Sequence, residues 1–159
     1  MAHPLNVMPY TGFKPSTTPL YDEAWRDACR LSRFDCTGLP APAVRFSEYA
    51  EALGVWGLYT GGNTVYIVPS MPIEKRKSQS YLVLVHEMVH YIETKLNQAG
   101  NGRVSVCLSE EEAFQVDGKL AHELGIGELD RSKTWREHYP ACQTDGPWQV
   151  DAPEDDGVS

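Results

Sequence analysis

The feature that most constrains the fold is a long apolar segment that carries three titratable side chains. Between residues 79 and 97, apolar residues occupy nearly every side of a helical wheel, which predicts a helix at the centre of the domain. The stretch VLVHEMVHYIE, residues 83–93, places His86, Glu87 and His90 inside this helix. A buried polar group without a partner costs about 1 to 3 kcal/mol. We therefore expect these three side chains to bind something.

The spacing of the three residues fits a metal site. Residues four apart lie one turn apart on the same helix face, so His86 and His90 can reach one ion together. Glu87 lies about 100° round the helix from His86, where it can deprotonate a metal-activated water. The H-E-x-x-H pattern thus predicts Zn²⁺ bound by both histidines, with Glu87 as general base. The competing interpretation is a pair of core histidines that make only hydrogen bonds.

Two histidines leave a catalytic zinc site incomplete, because such sites usually have three protein ligands and one open position. The extended motif with a third histidine would need glycine at position 93 and histidine at 96, where this chain has Glu93 and Leu96. The helix predicted over residues 109–125 offers carboxylates instead. Glu112 lies at the edge of its apolar face and is favoured, with Glu110 in reserve. Glu112 could alternatively form an S-x-x-E capping box with the serine three residues before it.

The rest of the pattern predicts an α+β fold. Residues 20–34 form an amphipathic helix, 43–49 a strand that can run into a short helix, and 55–69 a tight β-hairpin. The second hairpin strand, residues 64–68, could lie at the sheet edge or in its interior. We expect a small, mostly antiparallel sheet packed on the H-E-x-x-H helix and the glutamate-bearing helix. A further short helix is predicted within residues 132–142.

Length and composition limit the organisation and the partners of the chain. Its 159 residues fit one domain over residues 20–142, with an extended arm at 1–19 and an acidic tail at 143–159. The formal net charge of -8 disfavours nucleic acid as principal partner. Without a signal-peptide pattern or a membrane-length apolar segment, the chain is predicted to be cytoplasmic and not membrane-bound. The four cysteines form no C-x-x-C pair, and reduced thiols are favoured over disulfides.

A resemblance to a known family follows from these motifs. The HEMVH helix, the strand TVYIV before it and the Glu-Ala-Phe sequence after it resemble the compact gluzincin metallopeptidases. The layout over residues 43–125 is similar to that of ImmA/IrrE-type peptidase domains. The resemblance implies one Zn²⁺ per chain at the two histidines and Glu112, Glu87 as general base, and a peptide or protein substrate. Such domains commonly use a further carboxylate or amide to orient a histidine, and Asp117 is the candidate for that role.

The predicted activity is therefore zinc-dependent hydrolysis of peptide bonds by a metallopeptidase. His138 and Tyr139 are candidates to donate a hydrogen bond to the oxyanion of the transition state. If residues 64–68 form an edge strand, an extended peptide could pair with them by strand addition. The alternative function is a non-catalytic, zinc-stabilised interaction module derived from a peptidase fold. A chain that binds no metal is the third interpretation.

Overall fold

The computed structural model describes residues 18–98, 106–129 and 131–143, so almost all of the predicted arm and tail lies outside the described residues. The chain folds as α+β, as predicted. In chain order the elements are α1 (Thr18–Leu31), β1 (Ala43–Phe46), α2 (Glu48–Leu53), β2 (Gly57–Tyr59), β3 (Thr64–Ile67), α3 (Gln79–Gln98), α4 (Val106–Leu124) and α5 (Arg131–Thr134), followed by two 3-10 helices, Trp135–His138 and Pro140–Cys142.

The three strands form one mixed sheet in the order β1-β3-β2. β2 and β3 pair antiparallel, with Tyr59 opposite Val65, which confirms the predicted hairpin. β1 pairs parallel to β3, with Ala43 opposite Thr64. The expectation of a mostly antiparallel sheet is therefore wrong, because the chain passes through α2 before it enters the hairpin. β3 is the central strand, so the edge position considered for it is also wrong, and β2 lies at an edge.

Helix α3 is buried because elements pack on it from several directions. It contacts α1, α4 and both hairpin strands, which explains why its sequence is apolar all round rather than along one stripe. From the sheet, Val65 and Ile67 are fully buried, whereas the alternating Thr64 and Tyr66 are partly exposed. The α3 side chains that are fully buried are Tyr81, Leu82, Leu84, Val85, Met88, Val89, Tyr91 and Ile92.

A buried carboxylate joins α1 to the start of α3. Asp27 accepts hydrogen bonds from the Tyr81 hydroxyl at 2.6 Å, from Arg76 Nε at 3.1 Å and from Arg30 at 2.9 Å. Burial by itself would raise the pKa of Asp27, but these hydrogen bonds outweigh it and the pKa is lowered. Asp27 is thereby held as a carboxylate that fixes α1 against the central helix.

Several element boundaries differ from the prediction. β1 ends at Phe46 because the Ser47 hydroxyl accepts a hydrogen bond from the Ala50 N–H and caps α2. α4 begins at Val106, one turn before Ser109, so Ser109 lies inside the helix and does not cap it. The predicted last helix is divided into α5 and two 3-10 helices, the second of which starts at Pro140.

The four cysteines form two disulfides, Cys29–Cys36 and Cys107–Cys142, so the prediction of reduced thiols is wrong. Pairing depends on Cα separations of 5.7 and 5.3 Å, which the tertiary fold sets and sequence spacing does not reveal. Disulfides persist mainly in oxidising compartments, which weighs against the predicted cytoplasmic location. Among the described residues, no helix is long and apolar enough to cross a membrane.

Replacing Cys107 and Cys142 together by serine should lower the free energy of unfolding by about 2 to 4 kcal/mol, because the cross-link restricts the unfolded chain. Denaturant titration without reductant measures the difference. Thiol titration of the denatured wild type, also without reductant, should detect no free thiol. Free thiols in that sample would contradict the pairing.

Candidate metal centre

Two histidines in the middle of α3 form the first part of the candidate metal centre, and their imidazoles face α4. His86 and His90 are 8% and 7% exposed, and their ring centroids lie 4.9 Å apart. This proximity follows from their spacing of one helical turn. Both rings are therefore close enough to contribute to one site.

Helix α4 completes the cluster with Glu110. Its Oε1 atom lies 3.5 Å from His86 Nε2 and 3.3 Å from His90 Nε2. One ligand atom from each of these three residues lies within 4.8 Å of the other two. Two imidazoles and one carboxylate are a donor set that zinc uses in catalytic sites, where a fourth position stays open. The chemistry of the donor set therefore fits Zn²⁺.

Buried partners orient both imidazoles. His86 Nδ1 lies 2.8 Å from Asp117 Oδ2, and Ser132 donates a hydrogen bond of 3.0 Å to the other oxygen of Asp117. His90 Nδ1 lies 3.1 Å from Glu93 Oε1 and 2.9 Å from Ser109 Oγ. When each Nδ1–H donates to its carboxylate, the Nε2 lone pairs are left for a metal. The arrangement points both Nε2 atoms toward Glu110.

The electrostatics of the cluster favour positive charge between the three side chains. Burial alone would lower the pKa of His86, but hydrogen bonds to Asp117 and Glu110 outweigh it and raise the pKa to about 9. Burial also opposes charge on His90, yet the carboxylates of Glu110 and Glu93 raise its pKa well above the usual range. In turn, the charge on His90 and hydrogen bonds from both imidazoles hold the pKa of Glu110 far below normal, against the effect of burial. The same field would stabilise a divalent cation.

Glu87 lies beside the cluster, partly exposed to a cleft. Burial raises the pKa of Glu87, and the charges of His86 and His90 oppose that rise. A raised pKa suits a general base that works near neutral pH. Gly57 allows β2 to approach α3 closely at Glu87. A Cβ atom at position 57 would lie 2.6 Å from Val83 Cγ1 and 2.9 Å from Glu87 Cγ. β2 can therefore pass directly over α3 only with glycine at this position.

The cleft has a volume of about 530 Å³, within the usual range for ligand sites. It is lined by residues 54–56, which join α2 to β2, by β2 itself, and by residues of α3, α4 and α5 together with Tyr139. A larger surface cavity of about 830 Å³ lies along α4 and is lined by neither His86 nor His90. The apolar and aromatic residues that line the smaller cleft are Val55, Trp56, Leu58, Tyr59, Val83, Phe114, Leu129 and Tyr139.

Tyr139 reaches the centre from the end of the described chain. Its hydroxyl donates a hydrogen bond of 3.2 Å to Glu110 Oε2. An aromatic row of His86, Phe114, Trp135 and Tyr139 leads to it, with successive ring centroids 4.4, 5.7 and 6.1 Å apart. The structure thus brings one of the two predicted oxyanion donors to the site. The side chain of the other, His138, lies outside the described residues.

Glu112, the favoured third ligand from the sequence, lies elsewhere. It accepts a hydrogen bond of 2.8 Å from the Arg33 backbone N–H and pairs with the Arg33 guanidinium at 3.3 Å. The structure places Glu110, the reserve candidate, beside both histidines instead. The difference arises from the helix start, because a helix that begins at residue 109 would place Glu110 in its first turn. With α4 beginning at Val106, Glu110 lies in its second turn and faces α3.

Sequence reasoning did not identify Glu93 and Ser109 as parts of the site. Glu93 is 3% exposed, and the Ser109 hydroxyl donates a hydrogen bond to its Oε1. The signal for Glu93 was its position three residues after His90, on the same helix face. No sequence pattern linked Ser109 to the histidines, since its spacing to Glu112 indicated a capping box. The expected contact of Asp117 with a histidine is present, at His86.

Comparison with protein-family models, curated proteins and solved structures found no match to this chain. The gluzincin resemblance therefore rests on the sequence motifs alone.

Proposed function

We propose that this chain is a zinc-dependent metallopeptidase. The observation that carries the proposal is the convergence of His86, His90 and Glu110 within 4.8 Å, with Glu87 beside them on the same cleft. A metal site of purely structural function has no need of an unliganded carboxylate in an open cleft. The donor set, the carboxylates that orient each Nδ1, and the cleft next to the cluster all support the proposal.

The roles of the chain's own residues follow from their positions. When bound by His86, His90 and Glu110, Zn²⁺ would polarise the scissile carbonyl and make a water molecule more acidic. Glu87 takes the proton of the attacking water and delivers it to the leaving amine. The Tyr139 hydroxyl, which now binds Glu110, is close enough to turn to the developing oxyanion.

Strand β2 is the proposed docking strand for an extended substrate. It lies at the sheet edge, and among the described residues no strand pairs with its outer side. Gly57, Leu58 and Tyr59 line the cleft next to Glu87. An extended peptide could add to this edge through main-chain hydrogen bonds, which would hold the scissile bond over the metal centre. This role replaces the one considered for β3.

Glu110→Gln should weaken Zn²⁺ binding by more than about 100-fold, because it removes a direct ligand, and replacement of outer partners alone costs about 10- to 100-fold. Glu112→Gln is the matched control and should retain wild-type affinity, since Glu112 binds Arg33. Competition with a chromophoric chelator measures both. Loss of zinc in the Glu112 variant, with retention in the Glu110 variant, would reverse the ligand assignment.

Glu87→Gln should retain Zn²⁺ and lower kcat for peptide cleavage by about 10²- to 10⁴-fold, because the amide cannot accept the proton. Zinc content and cleavage of a peptide library by the purified full chain measure the two properties. Glu74→Gln, an exposed site in the loop before α3, serves as control and should leave both unchanged. Wild-type cleavage rates in the Glu87 variant would exclude the mechanism, whereas a zinc-loaded wild type that cleaves nothing would favour the interaction module.

Gly57→Ala should lower kcat by about 100-fold with little change in Zn²⁺ affinity, because the new methyl group would displace Glu87 and β2 by a fraction of an ångström or more. Gly62→Ala in the same hairpin is the control, since a Cβ there meets no atom within 4 Å. Steady-state kinetics and melting temperature separate a local shift from unfolding. Unchanged kcat in a folded Gly57 variant would show that the close approach is not required.

A further inference from the structure

One charged residue of the cleft, Arg131, lies outside the candidate metal cluster. The other ionisable side chains there, apart from the two tyrosines, are His86, Glu87, His90 and Glu110. Within the described part of the chain, Arg131 is the only cleft residue with a permanent positive charge, and it has no part in the proposed chemistry. The protein as a whole has a formal net charge of -8, so it offers no general attraction to acidic peptides. Arg131 is therefore a local exception in an acidic molecule.

The backbone around Arg131 is held in register with the metal centre. Leu129, two residues before it, is buried in the main core. Ser132, the next residue, donates a hydrogen bond to Asp117, which in turn binds His86. The Ser132 N–H also donates to the Leu129 carbonyl at 2.9 Å. The backbone next to Arg131 is thus linked to His86 by two successive hydrogen bonds. The Arg131 side chain itself is exposed.

The guanidinium of Arg131 differs from most other arginines in having no carboxylate partner among the described residues. Arg30, Arg33, Arg76 and Arg136 each form an ion pair with an aspartate or glutamate. Arg131 instead lines the same cleft as Glu87 and Tyr139.

We infer that Arg131 recognises a carboxylate of the peptide substrate close to the scissile bond. A guanidinium presents paired N–H donors whose geometry matches a carboxylate. Arg131 lines the cleft where the substrate would be held. The carboxylate can come from an aspartate or glutamate side chain or from the C-terminus of the substrate. The inference rests on the proposed function of the cleft as a peptide site.

Two peptide series distinguish the sources of the carboxylate. The first has blocked termini and a single glutamate moved through each position of an otherwise neutral octapeptide, with glutamine at the same position as reference. The second has neutral side chains and either a free or an amidated C-terminus. We expect the preferred acid to improve kcat/KM by about 10- to 100-fold over its neutral counterpart, as a charged hydrogen bond does. The preference should weaken as ionic strength rises.

Arg131→Gln should bring kcat/KM for the acidic peptide down to the neutral value, mainly through KM, and leave neutral peptides unaffected. Arg131→Glu should invert the preference, so that lysine is favoured at the same position. Arg26→Gln, an exposed arginine on α1 that does not line the cleft, is the control for loss of one positive charge. An acid preference that persists in Arg131→Gln would assign the carboxylate to the metal and overturn the inference. The absence of any preference in the wild type would also overturn it.

A binding arm separates this inference from the proposed function. Fluorescence anisotropy measures the affinity of the labelled acid and neutral peptides for zinc-loaded Glu87→Gln, with and without Arg131→Gln. Acid-selective binding that requires Arg131 supports the inference even if the wild type cleaves no peptide, and that outcome would overturn only the peptidase proposal. If the wild type cleaves peptides but binds the acid and neutral series with equal affinity, the peptidase proposal stands and the role of Arg131 is overturned.

Discussion

The packing of α4 against α3 is the contact on which the candidate site depends. α3 alone supplies two imidazoles and a carboxylate, and only α4 brings Glu110 within 3.5 Å of both rings. α4 also provides Asp117 for His86 and Ser109 for His90. The same interface therefore supplies the third donor and the groups that orient the first two. A shift of one turn between the helices, about 5.4 Å, would remove all three contacts together.

This arrangement places several ionisable groups in a core that is otherwise apolar. Burial raises the pKa of Glu93, and that of Asp117, because each carboxylate has lost water. Such groups persist because they are joined in one hydrogen-bonded cluster with the histidines, where opposite charges offset part of the desolvation cost. A divalent cation between the histidines and Glu110 would supply positive charge to these carboxylates. The cluster of buried charged groups therefore supports the proposal of a cation site.

The sequence predicted the local elements well and their partners poorly. The hairpin followed from β-branched runs around Gly61, which has φ 102°, a conformation that glycine adopts without strain. The central helix followed from its apolar periodicity. The sequence did not predict that β3 lies in the centre of the sheet, because the pairing of β1 with β3 depends on where α2 directs the chain. The disulfides were missed for a similar reason, since Cys107 and Cys142 are 35 residues apart along the chain.

The candidate metal site shows the same division at the level of single residues. The sequence could group His86, Glu87 and His90 because their relation is set by the geometry of one helix, in which residues four apart share a face. The sequence could not decide between Glu110 and Glu112. Residues two positions apart on a helix point about 200° away from each other, and which of them faces α3 depends on how α4 packs. One side of α4 faces the histidines, and Glu112 meets Arg33 instead. Helical periodicity is a property of the local chain, whereas the identity of the third donor is a property of the packing between helices.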